Sequence, residues 1–190
     1  MVSHPILHDI RAELRGATTI LRCPEPGDGA RVHEAVMESL EELRKWPASI
    51  PWAMNEPSVD ASEIFCRTSK ADFVKRVRFP YLVFDAESSV LIGCMGVVQL
   101  DWHVPKFEIG FWSRTSCHGK GHMTDALKTL ISYLRQSIGA RRIECFTDEQ
   151  NTRARALCER AGMSHEATLR NERIDPDGTL RHTVIYSLVE

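Results

Sequence analysis

The stretch Ser116-Cys117-His118-Gly119-Lys120-Gly121-His122-Met123-Thr124-Asp125-Ala126 has the residue types and spacing of an anion site. An apolar strand pattern ends at Trp112, a turn with two glycines follows, and a long apolar-striped helix begins at once. Glycine lets a backbone approach a ligand closely. The free N–H groups of a first helical turn lie at the positive end of the helix dipole and favour a phosphate. Lys120 adds a mobile positive charge. A pyrophosphate fits this chemistry; a tight strand-to-helix turn with no ligand is the alternative. Two other phosphate motifs do not fit. A dinucleotide fingerprint needs a third glycine where Thr124 stands, and Gly119-Lys120-Gly121 lacks the Gly-Lys-Ser/Thr ending of a Walker loop.

The elements around this loop can be read from periodicity. Ala17 to Cys23 reads as a strand, and Val32, Val36, Leu40 and Leu43 recur at helical spacing. Two prolines, Pro47 and Pro51, stop that helix. A second helix is expected over 60–77, with Ile64, Phe65, Phe73, Val74 and Val77 facing the core. Strands follow at Tyr81 to Asp85, Val90 to Leu100 and Phe107 to Trp112. The middle one is apolar on both faces and should be covered on both sides; its Gly93 and Gly96 suggest a bulge or a close backbone approach. Ala126, Leu127, Leu130, Ile131, Leu134 and Ile138 make 120–138 an amphipathic helix that stops at Gly139. A strand at Ile143 to Phe146, a short helix ending at Gly162, and strands near 164–173 and 180–188 complete the chain. Asp175-Pro176-Asp177-Gly178 marks the turn between the last two. The order β-α-α-β-β-β-α-β-α-β-β implies an α/β (α+β) fold with a mixed central sheet flanked by helices, not a doubly wound parallel sheet.

Composition bounds the function. The chain has 190 residues, 43% hydrophobic and 26% charged, which suits one domain over 1–190. A net charge of -2 argues against a nucleic-acid partner. No run approaches the ~20 apolar residues that span a bilayer, so no membrane partner is expected. The start, Met1 to Asp9, lacks the basic and apolar segments of a secretory leader. Six scattered cysteines without a C-x-x-C pair read as free thiols in a reducing cytoplasm. Cys117, His118 and His122 are too few ligands for a closed zinc site, and no metal is expected.

The phosphate loop resembles the R/Q-x-x-G-x-G/A acetyl-CoA motif of the GNAT N-acetyltransferase superfamily, and within it the RimJ/RimL branch. Phe107-Glu108-Ile109-Gly110-Phe111-Trp112 looks like that branch's E-I-G-Y-W strand. Gly119-Lys120-Gly121-His122-Met123-Thr124-Asp125-Ala126-Leu127 looks like its G-K-G-Y-x-T-E-A-L. Arg141-Arg142-Ile143-Glu144, then Asn151, then Glu159-Arg160-Ala161-Gly162-Met163 resemble its R-I-E, N-x-x-S and E-K-x-G-F series, and Val184 to Leu188 its closing hairpin. The resemblance runs from about Leu91 to the C-terminus; the first ninety residues share only the element pattern. Three positions depart from the family: His118 stands at the Arg/Gln position, Met123 where the wider superfamily has Gly or Ala, and Ala154 at the serine of N-x-x-S.

The resemblance implies an acetyltransferase that moves acetyl from the cosubstrate acetyl-CoA to a primary amine by direct attack. It implies a mostly antiparallel sheet. The backbones of Phe111, Trp112 and Ser113 would pair with the pantetheine arm, and their side chains would sit in the core. His118, Gly119, Lys120, Gly121, His122 and Met123 would hold the pyrophosphate. Glu108 would serve as base, or else pair with an arginine on the sheet. Asn151 would lie beside the pantetheine arm, or cap the helix from Thr152; the two roles are compatible. Cys158 stands where many members carry a general-acid tyrosine, so its thiol could protonate the leaving thiolate; the alternative is a small apolar core residue. Trp46, Trp52 and Trp102 could line the acceptor pocket or a homodimer contact. The acceptor is a protein N-terminus or a small-molecule amine. A CoA-binding sensor or scaffold with lost or weak catalysis is the competing reading, motivated by Ala154 and Cys158.

Overall fold

A computed structural model of the chain describes residues 4–189. The Met1-Val2-Ser3 start of the leader reading, and Glu190 of the 1–190 domain reading, lie outside the described residues. In chain order the elements are β1 (Glu13–Arg15), β2 (Thr19–Arg22), α1 (Gly29–Leu43), α2 (Val59–Lys75), β3 (Phe79–Asp85), β4 (Leu91–Asp101), β5 (Lys106–Ser113), α3 (His122–Tyr133), β6 (Arg142–Asp148), α4 (Thr152–Arg160), β7 (Ser164–Ile174) and β8 (Leu180–Val189). Eight strands form one sheet in the order β1-β2-β3-β4-β5-β6-β8-β7. Every neighbouring pair is antiparallel except β5 and β6, which run parallel. The mixed, mostly antiparallel sheet expected from the sequence is what forms. No helix among the described residues is long and apolar enough to cross a membrane.

Two apolar clusters sandwich the sheet. Phe107, Ile109, Ile143 and Cys145 turn to one face with Leu127 and Leu130 of α3 and Leu157 of α4. Leu82, Leu91 and Cys94 turn to the other, against Val32 and Val36 of α1 and Cys66 of α2. β4 runs through the middle, buried from Leu91 to Val97, as its two-sided apolar pattern requires. Gly93 and Gly96 are sites of close approach: a Cβ on either would meet the backbone carbonyl oxygen of Trp112 or Phe79 on the adjacent strand. β4 also carries two register shifts, one beside Gly93, where Ile92 is passed over opposite Val83 and Phe84, and one between Val97 and Gln99.

Three readings change. β1 was not expected, because it carries a single apolar residue, Leu14, between Glu13 and Arg15; it forms only as the hairpin partner of β2. α3 begins at His122 rather than 120, since Gly119 and Gly121 are left-handed, and its last turn, Leu134–Ile138, widens to a π-helix. α2 is rotated from its expected orientation. Ile64, Phe65, Val74 and Val77 are exposed, and the buried face is Ser62, Cys66, Ser69 and Phe73. The cause is close packing on α1. The Gly29 backbone lies against the Glu63 backbone so tightly that a Cβ on Gly29 would collide with it. Small side chains permit that approach, and large ones point away.

Candidate active site

The one parallel pairing sets up the site. β5 and β6 pair only over Lys106 to Glu108 with Arg142 to Glu144. Both strands continue, to Ser113 and Asp148, still bonded on their outer sides to β4 and β8. Their facing edges therefore part beyond Glu108 and leave a wedge with backbone donors and acceptors along it. Buried backbone polar groups need partners, and an extended amide-bearing chain laid in the wedge supplies them as an added strand would. A cleft of about 1910 Å³ occupies the wedge; Glu108, Phe111, Trp112, Ser113, Phe146 and Asn151 are among the residues that line it. Phe111 and Trp112 pack their side chains against opposite cores.

The phosphate turn lies at the end of β5. A short 3₁₀ turn, Thr115–Cys117, leads to His118 and then to Gly119 and Gly121 at φ +76 and +84. That left-handed backbone admits glycine at no steric cost. The first internally satisfied N–H of the turn is that of Thr124, which donates to the Gly121 carbonyl at 3.0 Å. Among the described residues, no hydrogen bond involves the backbone N–H groups of Gly119 through Met123. They sit at the N-terminus of α3, as an anion site demands. His118 Nδ1 lies 3.4 Å from Arg153 Nη1 of α4, and Arg153 also reaches Glu42 at 3.1 Å. Arg153 is thus a cation beside His118 at the mouth of the turn. His122 lines the cleft and its Nε2 lies 3.6 Å from Asp85. Lys120 is exposed.

Glu108 stands where the wedge opens. Its carboxyl is half-buried in the cleft, and among the described residues it makes no hydrogen bond or ion pair. Burial pushes its pKa up and the Glu144 charge adds to this; Arg173 and Lys106 pull it partly back. The arginine on the sheet pairs instead with Glu144, where Arg142 Nε sits 2.6 Å from the carboxylate.

Asn151 caps α4: its side-chain oxygen accepts the Ala154 N–H at 3.1 Å. It also lines the cleft. Cys158 does not reach the cleft. It is fully buried, with its thiol against that of Cys145, whose pKa is raised by that hydrogen bond and by burial. Ala154 and Leu157 present the α4 surface to the cleft in its place. Among the described residues, no group of three or more His, Cys, Asp or Glu side chains could hold a metal ion.

The acetyltransferase (GNAT) domain family matches residues 19–164, most of the chain. The chain belongs to the GNAT acetyltransferase family. It is 27% identical over 179 residues to "Putative ribosomal N-acetyltransferase YdaF" of Bacillus subtilis (strain 168), covering 90% of each chain. The fold is shared with RimL, the ribosomal L7/L12 alpha-N-protein acetyltransferase in complex with coenzyme A, at TM-score 0.84 and 16% identity, covering 93% of this chain and 97% of that one. It is shared too with the microcin C7 self-immunity acetyltransferase MccE bound to acetyl-CoA and AMP, at TM-score 0.82 and 20% identity over 92% and 93% of the two chains. The relatives are of RimJ/RimL type, and the GNAT enzyme uses acetyl-CoA as its acetyl donor. The free N–H groups of the phosphate turn and the open strand edges fit a pyrophosphate and an amide-bearing arm.

One side of the cleft is walled by the segment between α1 and α2. Trp46, Ser49, Ile50, Trp52 and Asn55 line it. The β7–β8 hairpin holds this wall. Asp175 accepts the Ala48 N–H at 3.1 Å, Arg173 donates to Ser49 Oγ at 3.1 Å, and the Arg181 guanidinium lies 5.9 Å from the Trp46 ring centroid. Arg181 is clamped in turn on Asp148 by two hydrogen bonds of 2.8 and 2.9 Å. Trp52 meets Trp112 of β5 with ring centroids 6.0 Å apart. Trp102 is elsewhere: it stacks on His8 at 4.3 Å and meets Phe107 edge-on, so it packs on the core and does not line this cleft. Its place in the β4–β5 turn hid this from the sequence reading, because the partner, His8, is far away in the chain.

Proposed function

We propose that this GNAT enzyme acetylates the α-amine of a protein or peptide N-terminus, with Glu108 receiving the amine proton. The observation that carries the reading is the Glu108 carboxyl, open to the cleft, unpaired among the described residues, and raised in pKa where the wedge begins. An α-amine has a pKa of roughly 7.7–8.0 and is partly neutral near neutral pH, whereas a lysine, at roughly 10.4, is not. A carboxylate of modestly raised pKa suits the easier substrate. The nitrogen attacks the thioester carbonyl carbon. The C–N bond forms, the C–S bond breaks, and the electron pair leaves on sulfur. Glu108 takes the amine proton directly or through one water, and the thiolate takes a proton from solvent. Asn151 and the backbone of Phe111 to Ser113 hold the pantetheine arm, the turn at Gly119 to Met123 holds the pyrophosphate, and Cys158, sealed in the core, acts as packing. The names of the relatives, a ribosomal N-acetyltransferase and an alpha-N-protein acetyltransferase, support a protein acceptor. Six free cysteines support a reducing compartment such as the cytoplasm, and the continuous sheet supports one catalytic domain.

The test is thiol release from acetyl-CoA with a panel of free N-terminal peptides, lysine side chains in N-blocked peptides, and small amines, with products mapped by mass spectrometry. Acetylation confined to peptide α-amines supports the reading. Turnover of small amines alone would replace it with the small-molecule reading, and no turnover with any amine would revive the sensor.

A further inference from the structure

Glu108 has a second carboxylate beside it. Its register partner across the short parallel pairing is Glu144. Side chains paired in register rise from the same face of a sheet, so both carboxyls stand on the acceptor face at the point where β5 and β6 part. Glu144 is 5% exposed and immobilised by Arg142 at 2.6 Å and Lys106 at 3.5 Å. Arg142 is shared with Glu166 at 2.9 Å.

We infer that Glu144 is a positioning residue of charge: a fixed carboxylate that sets the pH at which Glu108 becomes a base. This rests on the reading of Glu108 as the base. An ordinary carboxylate, pKa about 4.3, is a feeble acceptor for an amine proton. A like charge nearby disfavours ionisation and raises the pKa, which brings the base closer to working pH. The other groups around Glu108 are Lys106 on its own strand, Arg142 on β6 and Arg173 on β7, with Glu56 and Arg78 lining the same cleft. Lys106 and Arg173 oppose Glu144; burial and Glu144 together prevail. Cys145 follows Glu144 on the opposite face of β6, and its raised pKa keeps it a neutral thiol.

The experiment is a pH titration of the side-chain carboxyl carbons in ¹³C-labelled enzyme, with the Glu108 resonance assigned by its loss in Glu108→Gln. Glu144→Gln should lower the Glu108 midpoint, because a like charge that disfavours ionisation is removed. Lys106→Gln, an exposed change that leaves the core untouched, should raise it. Opposite shifts from neighbouring substitutions cannot come from a general loss of structure. A Glu108 midpoint that stays put in Glu144→Gln overturns the inference, as does a shift of the same sign in both variants. The base reading is separated by kinetics on a short peptide with a free α-amine. The acid limb of kcat/KM should disappear in Glu108→Gln and follow the same two shifts in the other variants. If that limb survives in Glu108→Gln, the base reading fails, while the titration still decides whether Glu144 controls Glu108.

Discussion

Asp125, in the first turn of α3, accepts the backbone N–H groups of Ala17 and Thr18 at 3.0 Å each and the Thr19 hydroxyl at 2.7 Å. One carboxylate thus ties the phosphate helix to the β1–β2 turn, where a Cβ on Gly16 would strike it. Burial opposes its charge, but these hydrogen bonds outweigh that and hold its pKa below the usual value. A depressed folded-state pKa gives stability that is present above the unfolded pKa and is lost as pH falls through the folded one. Asp125→Ala should cost about 2 kcal/mol at neutral pH. The gap between wild type and variant in urea unfolding should close below the ordinary aspartate pKa of about 3.9. A gap that is constant with pH would show that the carboxylate charge contributes nothing.

Gly121→Val should abolish acetyl-CoA binding and leave the fold in place. A Cβ at Gly121 meets nothing within 4 Å, so packing is not the obstacle; φ of +84 is. A β-branched residue there would pull the backbone out of the left-handed region and turn the free N–H groups away from the phosphates. Calorimetry with acetyl-CoA, beside a circular dichroism spectrum, checks this. Wild-type affinity in a folded variant would move the pyrophosphate elsewhere.

Glu108→Gln should lower kcat by ~10²–10⁴ with acetyl-CoA affinity nearly unchanged. The loss should shrink as pH approaches the acceptor's own pKa, because solution then supplies neutral amine. Equal turnover by variant and wild type at neutral pH would make Glu108 structural and leave catalysis to positioning.

Arg153→Gln should weaken acetyl-CoA binding several-fold, most visibly at low ionic strength. The side chain is 70% exposed, so its attraction for a phosphate is screened and modest. A salt titration of affinity in both proteins reads the difference. Identical salt dependence would mean that Arg153 serves only Glu42.

Asp175→Ala should loosen the acceptor wall by releasing the Ala48 N–H. KM for the amine is expected to rise several-fold while acetyl-CoA affinity stays put, since the hairpin touches the wall and not the phosphate turn. A matching loss in both would point to general unfolding rather than to the latch.

The acetyl-CoA half of the site was open to reading from sequence because it is local. The two glycines and the apolar stripe of α3 are close together in the chain, and local backbone preference decides them; only the helix start moved, because Gly121 is left-handed. The same holds for the Asp177-Gly178 turn and for the buried run in β4. The cap role of Asn151 was legible for this reason: the cap and its partner, Ala154, lie three residues apart.

What lay beyond the sequence depends on register and on which face is buried. Nothing in Glu108 or Glu144 alone says that they stand abreast; that follows from a parallel pairing three residues long. The retreat of Cys158 from the cleft depends on how far α4 sinks against Cys145. α2 reads as apolar on the face it exposes, because the tight crossing over Gly29 selects small side chains over hydrophobic ones. The wall between α1 and α2 is held by bonds between residues 127 and 124 positions apart. Local propensity carries no information at that range, so folding the sheet, rather than any motif, brings the wall, Glu108 and the glycine turn around one cleft.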